Sequence, residues 1–141
     1  MSVTAAEYLM KIWENEEKIR NKQIERKYWM DLATGITAGM GGERVQSSKT
    51  GNPKEDNVTE AVDIDREIAE LKREINEIIA TIQMLPRVYY SVLHKLYVQR
   101  KSLKEVQAEA KKSYSWATTT HSRAKKKLQY ILDERERAGA K

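Results

Sequence analysis

The chain has 141 residues, of which 33% are charged, and it carries a net charge of +5, two histidines and no cysteine. This length fits one domain or a small module on a helical extension, and the lack of cysteine excludes disulfides and thiolate metal sites. No secretory segment and no apolar run near the roughly 18 residues that span a bilayer is found, so we expect a cytoplasmic protein without membrane association, metal or cofactor.

The first predicted element is an amphipathic helix within residues 1–32. Thr4 and Glu7 have the spacing of a capping box, in which each side chain bonds the backbone N–H of the other residue. Beyond them, apolar residues recur at spacings of three and four, which is typical of a helix with one buried face. The predicted apolar stripe consists of Tyr8, Leu9, Ile12, Trp13, Ile19, Ile24 and Tyr28.

Residues 33–58 have the composition of a flexible linker. Five of the six glycines fall here, together with serine, asparagine and proline. Such a segment buries too little apolar area to offset its chain entropy. We therefore expect it to join two separately formed helices.

Residues 59–85 carry the most regular pattern in the chain. Eight apolar side chains follow alternating steps of three and four, which keeps one seam facing a partner helix. Thr59 is the predicted N-cap, and Pro86 is predicted to end the helix at Leu85. The partner is either the first helix folded back or the same helix of a second copy, which would give a homodimer. The seam consists of Ala61, Ile64, Ile68, Leu71, Ile75, Ile78, Ile82 and Leu85.

Residues 86–137 are predicted to form a helix-turn-helix domain. A first helix runs from Pro86 to about Gln99, with apolar residues on one face. Ser102 and Glu105 then form a second capping box, which opens a short helix over residues 103–110. After a polar turn, Ser113 caps a third helix, and this sequence of elements is typical of a helix-turn-helix. The predicted fold class is thus all-α: an N-terminal helix and a heptad helix, as a coiled-coil hairpin or dimer, followed by this bundle.

The charge is concentrated in this last domain. Residues 1–85 have a net charge of −4, whereas residues 86–141 have a net charge of +9, as expected of a phosphate-binding region. Small hydroxylated side chains suit base edges in the major groove, and cations suit the flanking phosphates. We therefore expect double-stranded DNA as the partner. The predicted base contacts are Ser115, Thr118, Thr119 and Ser122. The predicted phosphate contacts are Lys111, Lys112, Ser113, Tyr114, Arg123, Lys125 and Lys126.

Neighbouring residues leave alternatives open. Trp116 either packs in the interface between helices or wedges against DNA, with packing favoured. His121 either contacts a base or faces solvent. Three consecutive lysines, 125–127, wrap around a helix, so only one or two of them are expected to face DNA.

The stretch SLKEVQAEAKKSYSWATTTHSRAKKKL, residues 102–128, resembles region 4 of sigma-70-type factors. The resemblance rests on Ser102, Glu105, Val106, Ser113, Arg123, Ala124 and Leu128, and it extends into the preceding LPRVYYSVLHKLYVQRKS. Lys111 replaces the usual turn glycine, so a non-glycine residue has to adopt the backbone geometry of the turn. The whole chain is similar to small sigma-like proteins of phages and prophages of Gram-positive bacteria. This resemblance implies a transcriptional regulator in a bacterial host cell and adds RNA polymerase as a partner.

The sequence therefore favours a DNA-binding regulator over an enzyme. The segment GMGGER at residues 39–44 lacks the preceding strand and the lysine of a phosphate-binding loop. Two other functions fit the same pattern of elements. One is the DNA-recognition subunit of a phage packaging machine, such as a small terminase component. The other is a coiled-coil interaction module that no longer binds DNA.

Overall fold

The computed structural model describes residues 3–35 and 53–139. Every regular element in these two ranges is a helix, which confirms the all-α class. None of these helices is long and apolar enough to cross a membrane. The elements are α1 (Ala5–Thr34), α2 (Pro53–Ile82), α3 (Arg87–Leu93), a π-helical segment (His94–Val98), α4 (Leu103–Ala110) and α5 (Tyr114–Gly139).

The described chain falls into two compact units, here named unit 1 and unit 2. Unit 1 comprises Met1–Asn15 and Glu74–Lys141, and unit 2 comprises Glu16–Arg73. The helices α1 and α2 each contribute residues to both units. The first three turns of α1 therefore belong to the same compact body as α3, α4 and α5.

Unit 1 is built around one apolar core to which every helix contributes. Its fully buried side chains include Leu9 and Ile12 of α1, Ile82 of α2 and Leu128 of α5. Two local features secure the start of α1. The predicted capping box of Thr4 and Glu7 is present, with both N···O distances at 3.1 Å. The side-chain carbonyl of Gln129 in α5 accepts the N–H of Ala5 at 2.6 Å, which holds α1 against α5.

In unit 2, α1 and α2 pack against each other in antiparallel orientation. The Lys22 ammonium lies 2.8 Å from a carboxylate oxygen of Glu67, and Arg26 Nε lies 2.7 Å from Asp65. From the first pair to the second, the residue number rises on α1 and falls on α2, so the two helices run in opposite directions. The apolar part of this interface consists of Ile19, Ala33, Ala61, Ile64 and Ile68.

The predicted apolar stripe of α1 is correct only in its first half. Leu9, Ile12 and Ile19 are buried, but Ile24 and Tyr28 are 68% and 58% exposed. Lys22 and Arg26 occupy the inward positions instead. Their charged ends reach the carboxylates of Glu67 and Asp65 on α2.

The helices extend into both ends of the predicted linker. Ala33 and Thr34 belong to α1, and α2 begins at Pro53, so the predicted N-cap at Thr59 is wrong. Proline suits the first helical position because its missing N–H would have no partner in the helix there. The remaining part of the predicted linker, residues 36–52, lies outside the described residues, as does the GMGGER segment.

The connection from α2 to α3 also differs from the prediction. The α-helix ends at Ile82, and Leu85 is buried within the turn that follows. Pro86 is the N-cap of α3. The helix predicted to reach Gln99 continues as the π-helical segment, after which Arg100 adopts a positive φ of 60°.

Most of the heptad seam is buried within this single chain. Ile64 and Ile68 are buried in unit 2, and Ile78 and Ile82 are buried in unit 1. Of the two partners left open by the sequence, α1 of the same chain covers these residues here. A homodimer through the heptad helix remains a prediction, and it would require α1 to be displaced from the seam.

Candidate nucleic-acid interface

The short helix α4 is fixed at both ends by its own residues. Ser102 and Glu105 form the predicted capping box, with N···O distances of 2.8 and 3.1 Å. At the other end Lys111 has φ 57° and ψ 43°, the left-handed conformation that glycine usually supplies. The N–H groups of Lys111 and Lys112 donate to the carbonyls of Ala108 and Gln107. The prediction that a non-glycine residue adopts this turn geometry is confirmed.

Three residues, 111–113, separate α4 from α5, and the last of them, Ser113, caps the start of α5. The Ser113 hydroxyl accepts the N–H of Trp116 at 3.0 Å, so Ser113 caps α5 as predicted. The helix then packs against α3 and α4. Ala117, Thr120, Ala124 and Leu128 form its buried side.

The opposite side of α5 presents small hydroxyl groups to solvent. Ser115, Thr119 and Ser122 are exposed, and their spacings of four and three place them on one face, which Lys126 continues. Thr118 differs from the other three predicted base contacts. It is half-buried, and its hydroxyl donates to the Ser115 carbonyl at 3.0 Å. We call the exposed side formed by Ser115, Thr119, Ser122 and Lys126 the outer face.

The predicted phosphate contacts surround this outer face. Lys111, Lys112, Ser113 and Tyr114 are exposed at the turn, and Arg123 is exposed on α5. The three consecutive lysines are spread around the helix by about 100° each. Lys125 is half-buried on one edge, Lys126 lies on the outer face, and Lys127 is exposed on the other edge.

No acidic residue compensates these cations locally. Between Ala110 and Leu132 the sequence has six lysines and arginines and no aspartate or glutamate. Among the ion pairs formed by described residues, none involves any of the six. The nearest carboxylate along the chain, Glu109, is bound by Lys95 and Lys101, and these bonds lower the pKa of Glu109 below its ordinary value. Within the described residues the positive charge of this region is therefore not paired with carboxylates.

His121 does not lie on the outer face. Its Nε2 is 3.0 Å from the Tyr97 hydroxyl, and the two rings pack with centroids 5.8 Å apart. Burial and then repulsion by Lys125 lower the pKa of His121, while burial raises the pKa of Tyr97. Of the two alternatives weighed for His121, the solvent-facing ring is wrong because the ring is half-buried against Tyr97, whereas the base contact stays a prediction. The ring instead seats α5 on the π-helical segment.

Tyr97 connects this contact to α1. The Trp13 indole N–H donates to the Tyr97 carbonyl at 2.7 Å, and the two rings lie 5.4 Å apart. The guanidinium of Arg100 covers the other side of the contact at 5.1 Å from the Trp13 ring. A continuous series of packed side chains therefore runs from α1 through Tyr97 to His121 on α5.

Two residues for which the sequence left alternatives open, Lys127 and Trp116, lie beside the outer face. Lys127 is exposed four residues after Arg123, on the same edge of α5. Trp116 packs partly against the core, as favoured, but it also lines two surface depressions beside α3. Nothing in its local sequence distinguishes that second position.

Comparison with models of known protein families, with curated proteins and with solved structures gave no match. The interpretation of the site therefore depends on the residues and their geometry. Within the described ranges no group of three or more histidine, aspartate or glutamate side chains is arranged to hold a metal ion.

Proposed function

We propose that this protein is a DNA-binding transcriptional regulator that inserts the outer face of α5 into the major groove. One observation carries the proposal. Six cations without acidic partners among the described residues lie on or beside a helical face of small hydroxyl groups. A helix in the major groove needs this arrangement, because base edges meet its face and phosphates border it on both sides.

The roles follow from exposure and position. Ser115, Thr119 and Ser122 read base edges, and Thr118 contributes less because its hydroxyl is engaged by its own helix. Lys111 and Lys112 hold phosphates ahead of α5. Along the helix the phosphate contacts are Arg123, Lys125 and Lys126, with Ser113 and Tyr114 at its start.

The resemblance to sigma-70 region 4 is part of the proposal. Ser102 and Ser113 cap α4 and α5 at offsets that match the resemblance, and Lys111 departs from it in residue type but has the left-handed backbone of the turn. From the resemblance we propose action beside RNA polymerase. Retention of purified polymerase by the immobilised protein would support this part, and its absence would restrict the proposal to DNA binding.

The DNA-binding proposal is tested by fluorescence anisotropy with a pool of random duplexes over about 50–200 mM salt. We expect log affinity to fall steeply with log salt, and Lys126→Ala to reduce that slope by about one. Lys18→Ala is the matched control, since it removes the same charge from an exposed position of α1 in unit 2. Lack of binding at the lowest salt would overturn the proposal. Sequencing of the duplexes that the immobilised protein retains from the same pool then reports the site that is recognised.

A further inference from the structure

A groove runs along one edge of α5, between that helix and the start of α3, and has a volume of about 740 Å³. Its α3 wall is formed by Pro86, Val88 and Tyr89. Its α5 wall includes Trp116 and the cations Arg123 and Lys127. All of these residues belong to unit 1. The groove adjoins the outer face through Ser115 and Thr119, which line it as well.

The lining of this groove is positively charged and has no acidic side chain. Arg123 and Lys127 are one helical turn apart, and neither forms an ion pair with another described residue. Ser113, Ser115 and Thr119 add hydroxyl groups along the same wall. The polar side of the groove therefore selects a ligand with regularly spaced anionic oxygens.

The remaining lining is apolar and accessible. Val88 is 52% exposed. Trp116 is half-buried between this groove and a second depression, which Arg87 and Val88 also line. The ligand must therefore present a carbon surface to Val88 and Trp116 beside the anionic groups that it presents to Arg123 and Lys127.

We infer that this groove holds the sugar–phosphate backbone of one DNA strand, with deoxyribose against Val88 and Trp116 and phosphates on Arg123 and Lys127. The inference rests on the function proposed above. An α-helix with its side chains is about 10–12 Å wide and the major groove about 12 Å, so a backbone runs along each edge of an inserted helix. The groove lies along such an edge of α5. Val88, Trp116 and Lys127 thereby become part of the DNA interface. All three lysines 125–127 then contact DNA, one more than the sequence predicts.

The test places a negative charge at the apolar wall. Val88→Glu is expected to weaken duplex binding at least about tenfold in the anisotropy titration, because the carboxylate meets phosphate. Val62→Glu is the matched control, since Val62 is 43% exposed on α2 in unit 2. Lys127→Gln is the second variant, and it keeps the inference testable if Val88→Glu does not fold. We expect Lys127→Gln to lower the salt slope by about one.

The outcomes separate the inference from the proposed function. If Val88→Glu and Lys127→Gln bind DNA like the unmodified chain while Lys126→Ala is weakened, the groove is not a backbone site and the proposed function stands. If the unmodified chain binds no DNA, both fail. If an acidic peptide binds and is lost in Lys127→Gln whereas DNA binding is unaffected, the groove serves a protein partner and the inference is overturned.

Discussion

In unit 2 two cations of α1 lie against carboxylates of α2, in the pairs Lys22–Glu67 and Arg26–Asp65. In unit 1 the cations of α5 from Arg123 to Lys127 form no ion pair with any described residue. Both regions expose their charges on long helices. They differ in whether carboxylates of the described residues pair with the cations.

The paired charges of α1 and α2 help to specify which residues of the two helices face each other, although each exposed pair contributes little free energy. The unpaired cations of α5 repel one another and lower the stability of the fold unless an anion binds. We therefore expect the charges of α1 and α2 to act on structure and, under the proposed function, those of α5 to act on DNA. Variants that affect stability and DNA affinity separately can test this distinction.

The largest effect is expected from Leu128→Ala, which removes a fully buried side chain beneath the basic part of α5. A cavity of this kind costs about 2–5 kcal/mol in the free energy of unfolding, measured by urea denaturation. At low temperature, where the variant stays folded, the salt dependence of DNA binding should equal that of the unmodified protein. A loss below about 1 kcal/mol would show that α5 is not seated on this core.

An intermediate effect is expected from pH, through His121. Because its pKa in the folded chain is lowered, the folded state favours the neutral ring, and the unfolded chain takes up the proton first. The free energy of unfolding should therefore fall as the pH drops below about 6.5, the ordinary pKa of histidine, and level off below the lowered value. His121→Gln should flatten this profile between pH 7.5 and 5.0. His94→Gln serves as the control for loss of a histidine, and equal flattening in both variants would contradict the assignment.

The smallest effect is expected from Arg26→Gln in unit 2. The pair with Asp65 is about half exposed, so its loss should lower the free energy of unfolding by at most about 1 kcal/mol. DNA affinity should not change. Lys126→Ala should show the opposite result, with weaker DNA binding and unchanged or slightly higher stability. If Arg26→Gln weakened DNA binding as strongly as Lys126→Ala, the distinction between the two groups of charges would be lost.

Features decided by neighbouring residues were predictable from the sequence. The two capping boxes, the Ser113 cap and the turn at Lys111 are set by hydrogen bonds between residues a few positions apart. Such short-range signals are read directly from spacing. The bounds of α4 were therefore predicted correctly, and so was the start of α5.

Features decided by distant residues were not predictable in the same way. Periodicity cannot show that Lys22 and Arg26 face α2 while Ile24 and Tyr28 face solvent, because carboxylates on α2 decide it. The position of His121 likewise depends on Tyr97, which the π-helical segment brings next to α5. For the candidate site, sequence indicated the residue types and charge, whereas the groove beside Val88 required the packing of α3 on α5.

On either side of α4, a cationic residue has a strained backbone conformation. Arg100 and Lys111 both hold left-handed backbone conformations, each of which costs a non-glycine residue about 1 kcal/mol or more. Glycine at either place would relieve that strain but would also remove a cation, the one over Trp13 or the one at the turn. At Arg100 the glycine would therefore exchange backbone strain for the loss of a contact within unit 1, whereas at Lys111 it would remove only an exposed charge at the turn.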